Sequence, residues 1–196
     1  VSQACVAGAV DQGNPNVLHF GTSRGLVHVD ATRMHLIDST APITHLQEVW
    51  QAYAAHRGGQ EGLDDERFYE VCQFGDTPEL IDELAQLVLA GRKRATAGAV
   101  WFYEASGLGL PRPGLLSIVT NSQDRALCII ETLQVDLTPF DQVTAEFAAT
   151  EGEGDGSLAY WRRAHREYFT RECKRAGRVF SEDLLIACER FRVVGP

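Results

Sequence analysis

Between Thr77 and Thr120 the apolar residues change period, from the three- and four-residue spacing of a helix to the short β-branched and aromatic runs of strands. Thr77 stands where an N-cap oxygen is needed, and Pro78 at the first helical position, where a missing N–H costs nothing. Leu80, Ile81, Leu84, Leu87 and Val88 then form one stripe, and Gly91 ends the helix as a residue free to turn left-handed. TAGAVWFYEA (96–105) and LLSIVT (115–120) follow as predicted strands, parted by the breaker-rich GLGLPRPG. NSQD turns the chain into ALCIIETLQVDL, whose length suits a long bent strand, and LLIACERFRVV closes as another. Several strands of a curled sheet interrupted by a few helices predict an α+β fold built on a small barrel with flanking helices.

Three further helices are expected. One runs from Pro42 to Gly58-Gly59 with Leu46, Val49, Trp50 and Tyr53 on one face, and a short one follows Thr138-Pro139 with Phe140, Val143 and Phe147. A third starts near Leu158, with Leu158, Trp161, His165 and Tyr168 turned inward. Residues 1–33 show no sustained helical period, and the only methionine is Met34. They are taken as an N-terminal extension of unassigned role, and 34–196 as the domain; the 196 residues suit a single core.

The net charge of −9 disfavours a tight grip on long duplexes, which calls for a broad excess of Lys and Arg. Positive charge is local: residues 161–178 hold seven Lys or Arg against two Glu, and GRKR at 91–94 adds three. No apolar run approaches the ~20 residues of a membrane span. Five scattered cysteines without a CxxC pair favour reduced thiols and a cytoplasmic location over disulfides or a zinc site.

EGEGDGSLAYW, residues 151–161, resembles a calcium loop only in part. Glu151, Glu153, Asp155 and Gly156 fall in register, but the position that needs a bidentate Glu is Arg162. The stretch is left as a helix start, with Asp155 or Ser157 as cap, or as a source of catalytic acids. Lys93, flanked by Arg92 and Arg94, feels like charges on both sides, which favours its neutral form; such an amine can act as a base, or remain charged and stabilise an oxyanion. Thr96 offers a hydroxyl three residues on. Asp76 precedes a helix N-terminus, and Tyr103, Trp101 and Trp161 are candidate stacking platforms for a base.

QFGDTPELIDELAQLVLAGRKRAT, YEASGLGLPRPG, CIIET, FAATEGEGDGSLAYWRRAH and ACERFRVV, in that order, resemble the ASCH domain family in its longer bacterial form, over roughly residues 46–195. The resemblance implies a PUA-like β-barrel whose cleft is lined by the GxKxAT-like segment and receives RNA or a modified nucleoside. It further implies either metal-dependent cleavage of single-stranded RNA, or, as in a shorter branch, hydrolysis of the acetyl amide of N4-acetylcytidine by a Lys, Thr and Glu set. Matched by motif, that set is Lys93, Thr96 and Glu151. Arg94 stands where members often have Thr, and Leu115 where they often have an acid.

The expectation is therefore an RNA-processing hydrolase cleaving single-stranded RNA in a PUA-like cleft. Lys93, Thr96 and Glu151 are the catalytic candidates, Arg92, Arg94, Asp76 and Tyr103 the substrate contacts, and Glu153 and Asp155 the ligands of a Mg²⁺ or Mn²⁺ ion. The alternatives are the N4-acetylcytidine amidohydrolase and a non-catalytic RNA or nucleotide reader.

Overall fold

The computed structural model describes residues 67–106 and 109–195, helical residues 46 and 48–53 (α1), and the backbone of four strands within residues 3–30. The expected helix between Pro42 and Gly59 is seen only in α1; the rest of that span lies outside the described residues. The N-terminal strands are β1 (Gln3–Val6), β2 (Ala9–Asp11), β3 (Asn14–Thr22) and β4 (Gly25–Asp30). The remainder are β5 (Phe68–Phe74), β6 (Ala95–Ala99), β7 (Leu116–Thr120), β8 (Ala126–Pro139) and β9 (Leu185–Gly195). Between them lie α2 (Pro78–Leu89), α3 (Val100–Ser106), α4 (Ala145–Glu151) and α5 (Leu158–Arg175).

One mixed sheet has the order β1-β5-β7-β8-β9-β6, and a smaller one the order β2-β3-β4. β5 and β7 are parallel, while the β7–β8, β8–β9 and β6–β9 pairs are antiparallel. β8 makes the curl possible: its first half pairs with β7, most of its length with β9, and register shifts at Ile129/Ile130 and Thr132/Gln134 mark the bend between. β1 extends the sheet beyond β5, with Gln3 opposite Phe74.

α2 forms as its sequence dictates. Thr77 caps it by accepting from the Leu80 amide, Pro78 opens it, and Ile81, Leu84, Ala85 and Val88 are buried. Leu84 and Val88 pack on Cys72, Phe74, Val119, Cys128, Ile130 and Phe191, which fill the inside of the curl. The outer face of β6 and β9, through Ala95, Ala97, Ala99, Ile186 and Cys188, is covered by Phe147, Trp161 and Phe169 of α4 and α5. A third cluster buries Trp50 and Tyr53 of α1 against Leu116, Ile118 and Ile129.

The predicted strand over 96–105 is corrected. β6 ends at Ala99, and Val100–Ser106 is helical because Val100 and Tyr103, three apart, both reach the core beside Ala187. The aromatic run that suggested a strand is a helical packing surface, and its tertiary contacts override a weak β preference. No helix among the described residues is long and apolar enough to cross a membrane.

Candidate active site

The alternation of acids and glycines in EGEG is a device for turning two carboxylates inward. Glu151 is the last residue of α4, and Gly152 ends that helix in the left-handed region, with φ of 69°. A Cβ at Gly152 would overlap the Arg92 carbonyl oxygen, so only glycine lets this turn lie against the 92–94 backbone. Gly154 is also left-handed, and a Cβ there would enter the Tyr160 ring.

Against this turn lies the segment that follows α2. The Arg92 and Lys93 amides donate to the Leu87 carbonyl at 2.9 and 3.0 Å, the Arg94 amide donates to Thr150 at 3.0 Å, and the Arg94 carbonyl accepts from Phe191 at 2.9 Å. Three elements thus fix Lys93, and its neighbours Arg92 and Arg94 point out to solvent. Lys93 Nζ bonds Glu151 Oε1 at 3.1 Å and Glu153 Oε1 at 2.7 Å, and lies 5.0 Å from the centroid of the Phe74 ring. The Lys93 and Glu151 side chains are both 0% exposed.

Glu151 Oε2 accepts from the Trp161 indole N–H. His165 stacks on Trp161, with centroids 4.1 Å apart, and its Nδ1 lies 3.0 Å from the Trp161 carbonyl. A carbonyl only accepts, so the neutral ring carries its proton on Nδ1, and bare Nε2 faces Glu151 Oε1 at 3.5 Å. That separation is too long for a hydrogen bond, and Nε2 has no partner.

Burial would push the Glu151 carboxyl up, but the Lys93 ammonium outweighs it and holds the group well below the usual carboxylate range. Burial lowers Lys93 from 10.5, opposed by Glu151, and pushes His165 down to about 4.

Glu151, Glu153 and His165 present ligand atoms all within 4.8 Å of one another, a spacing a cation could span. The donor set does not fit a resident Mg²⁺ or Mn²⁺. Lys93 Nζ already bonds both carboxylates, and these ions keep several waters, for which a fully buried cluster offers no surface. Lys93 is itself the site's cation.

The other expected residues lie elsewhere. Asp155 is exposed and accepts from the Ser157 amide at 2.9 Å, so it shapes the start of α5 and stands outside the group around Glu151. Ser157 is the helix cap, accepting from the Tyr160 amide. Asp76 pairs with Arg171 at 2.5 Å, which ties the start of α2 to α5. Tyr103 is 2% exposed and packs beneath Gly98, in the core and away from any surface where a base could stack. Thr96 lies on β6, buried, with no hydrogen bond to Lys93 or Glu151.

Sequence reasoning missed three participants. Trp161 and His165 were placed on the inner face of their helix without being linked to Glu151. Glu189 stands opposite Thr96, buried between the inward-facing Ala187 and Phe191. An acid at a core-facing strand position was the available signal.

The ASCH domain model matches residues 70–195. The chain belongs to the ASCH domain family. A crystal structure of an ASCH domain from Lactobacillus crispatus is 35% identical, with a TM-score of 0.70, over 78% of this chain and 96% of that one. A protein from Enterococcus faecalis is 30% identical, with a TM-score of 0.69, over 78% of this chain and 90% of that one. No curated protein matches significantly. The curled half-barrel is thus the PUA-like fold of ASCH domains, a family suggested to bind RNA.

Proposed function

We propose that this ASCH domain is a metal-independent hydrolase of an N4-acylated cytidine, free or within single-stranded RNA. The observation that carries the reading is the Lys93 ammonium, fixed by Glu151 and Glu153 at 3.1 and 2.7 Å. A positive charge held in a water-poor site is what an amide's developing oxyanion needs, and it acts there without a metal. Glu151 is kept ionised by Lys93, and it gains basicity to accept a proton as that ammonium turns to the developing oxyanion. Water adds to the acyl carbon as Glu151 takes its proton, the C–N bond breaks, and the proton passes to the departing N4 nitrogen, giving acetate and cytidine. Trp161, which bonds Glu151 and carries the stacked His165 ring, is a positioning residue.

Metal-assisted RNA cleavage is the weaker reading, because Glu151 and Glu153 are bonded to Lys93 and Asp155 lies outside their group. An RNA strand as carrier of the nucleoside is favoured by Arg92 and Arg94, both exposed on either side of Lys93. The cluster is sealed in this conformation, so a substrate reaches it only after local opening.

The test is acetate release from N4-acetylcytidine by the wild type and by Lys93→Met. Loss of ~10²–10³ in turnover is expected, the usual effect of removing one oxyanion-stabilising group. Equal turnover would remove Lys93 from the reaction.

A further inference from the structure

The Lys93 cluster leaves unused a second polar group inside the curl. Thr96 on β6 is directly opposite Glu189 on β9. Directly opposed residues of antiparallel strands share a face, with Cβ atoms about 4.5–5.5 Å apart. Phe191, two residues beyond Glu189 on the same face, stacks on Phe74 with centroids 5.6 Å apart and planes 8° from parallel. Phe74 is also the ring beside Lys93 Nζ. One inner wall therefore leads from the Lys93 ammonium across two rings to Glu189 and Thr96.

Each of these side chains has a polar atom without a hydrogen bond there. Thr96 is 1% exposed and its hydroxyl makes no hydrogen bond. Glu189 is 3% exposed; its Oε1 accepts from the Thr132 hydroxyl at 2.6 Å, and its second oxygen has no hydrogen bond among the described residues. Folded proteins leave few such groups unsatisfied, and a functional role or a bound water or ion accounts for many of the exceptions. Burial raises the Glu189 carboxyl to about 7, opposed only by the Thr132 bond. Near neutral pH it can therefore carry a proton and present an O–H beside a C=O.

We infer that Glu189 and Thr96 form a base-reading subsite, where the Glu189 carboxyl meets a cytosine-type edge with a ring-nitrogen acceptor next to an amino donor. This rests on the nucleoside reading above and adds the residues that choose the base. The carboxyl O–H donates to N3 and the carbonyl oxygen accepts from the N4 N–H, while the Thr96 hydroxyl donates to O2. An N4-acyl group leaves that order of acceptor and donor in place.

Other titratable groups lie near: Cys72 and Glu70 on β5, Cys128 on β8, and the buried Lys93. Burial holds the Cys72 thiol well above its usual range and pushes Cys128 up to about 12, so neither ionises near neutrality. Glu189→Gln separates the titration of Glu189 from that of Glu70 and Lys93, because an amide supplies the same donor and acceptor without titrating.

The experiment measures cytidine binding calorimetrically from pH 5.5 to 8.5 for the full chain, Glu189→Gln, Glu189→Leu and Thr96→Val. Wild-type affinity is expected to fall about tenfold or more as pH rises through the Glu189 titration, because the carboxylate then faces the N3 lone pair. Glu189→Gln should bind at all these pH values, and Glu189→Leu weakly at all of them. Absence of cytidine binding, equal binding by Glu189→Leu, or the same pH profile in wild type and Glu189→Gln overturns the subsite. Acetate release independent of Glu189 would leave the hydrolase standing and sink the subsite; Glu189-dependent cytidine binding without acetate release would do the reverse.

Discussion

At the scale of single residues, a buried lysine facing two carboxylates is an electrostatic commitment. Removing one member of a buried ion pair leaves an uncompensated charge, at a cost of about 3–5 kcal/mol. Lys93→Met should lower unfolding stability by that order in urea titration, and adding Glu151→Gln should recover part of the loss. Additive destabilisation in the double variant would show that the two side chains are not coupled. His165 gives a second prediction. Its folded-state value of about 4 lies below the unfolded 6.5, so the unfolded chain takes up the proton first. The contribution of His165 is fully present above 6.5 and is lost as pH falls towards 4. Wild-type stability should decline across that window, and the decline should flatten in His165→Gln.

Among the elements, the turn after α4 decides whether the site exists. Gly152→Ala adds a Cβ to a left-handed residue pressed on the Arg92 carbonyl. The conformational term alone is about 1 kcal/mol, and the overlap must be relieved by moving Glu151 away from Lys93. The variant should melt lower and lose turnover beyond what its stability explains. Unchanged turnover would separate the turn from the chemistry. Helix α2, its cap and its stop were legible in the sequence because capping is local chemistry, fixed by Thr77, Pro78 and Gly91. The boundary at Ala99 was not, because whether Trp101 to Tyr103 continue a strand or wind into a helix depends on what Tyr103 meets beneath Gly98.

For the molecule as a whole, the curled sheet gathers Lys93, Glu151 and Glu153 from positions up to 60 residues apart. Motif order made the family visible and pointed to Lys93 and Glu151, while Glu153 was expected as a metal ligand rather than as a partner of Lys93. The Trp161 and His165 support and the burial of Tyr103 were hidden, since both follow from how α5 and α3 dock. The net charge of −9 limits phosphate contact to local cations such as Arg92 and Arg94. With two phosphates neutralised, the affinity for a short single strand should fall roughly sevenfold between 50 and 200 mM salt, from a slope of about −0.7 per contact. A slope several times steeper would require a longer basic track than this surface is expected to supply. The most direct test of the central claim, that Lys93 serves as the site's cation, is the rate of acetate release from N4-acetylcytidine in excess EDTA and then in added Mn²⁺. Equal rates in both, lost in Glu151→Gln, are predicted; release abolished by EDTA and restored by Mn²⁺ would contradict the account.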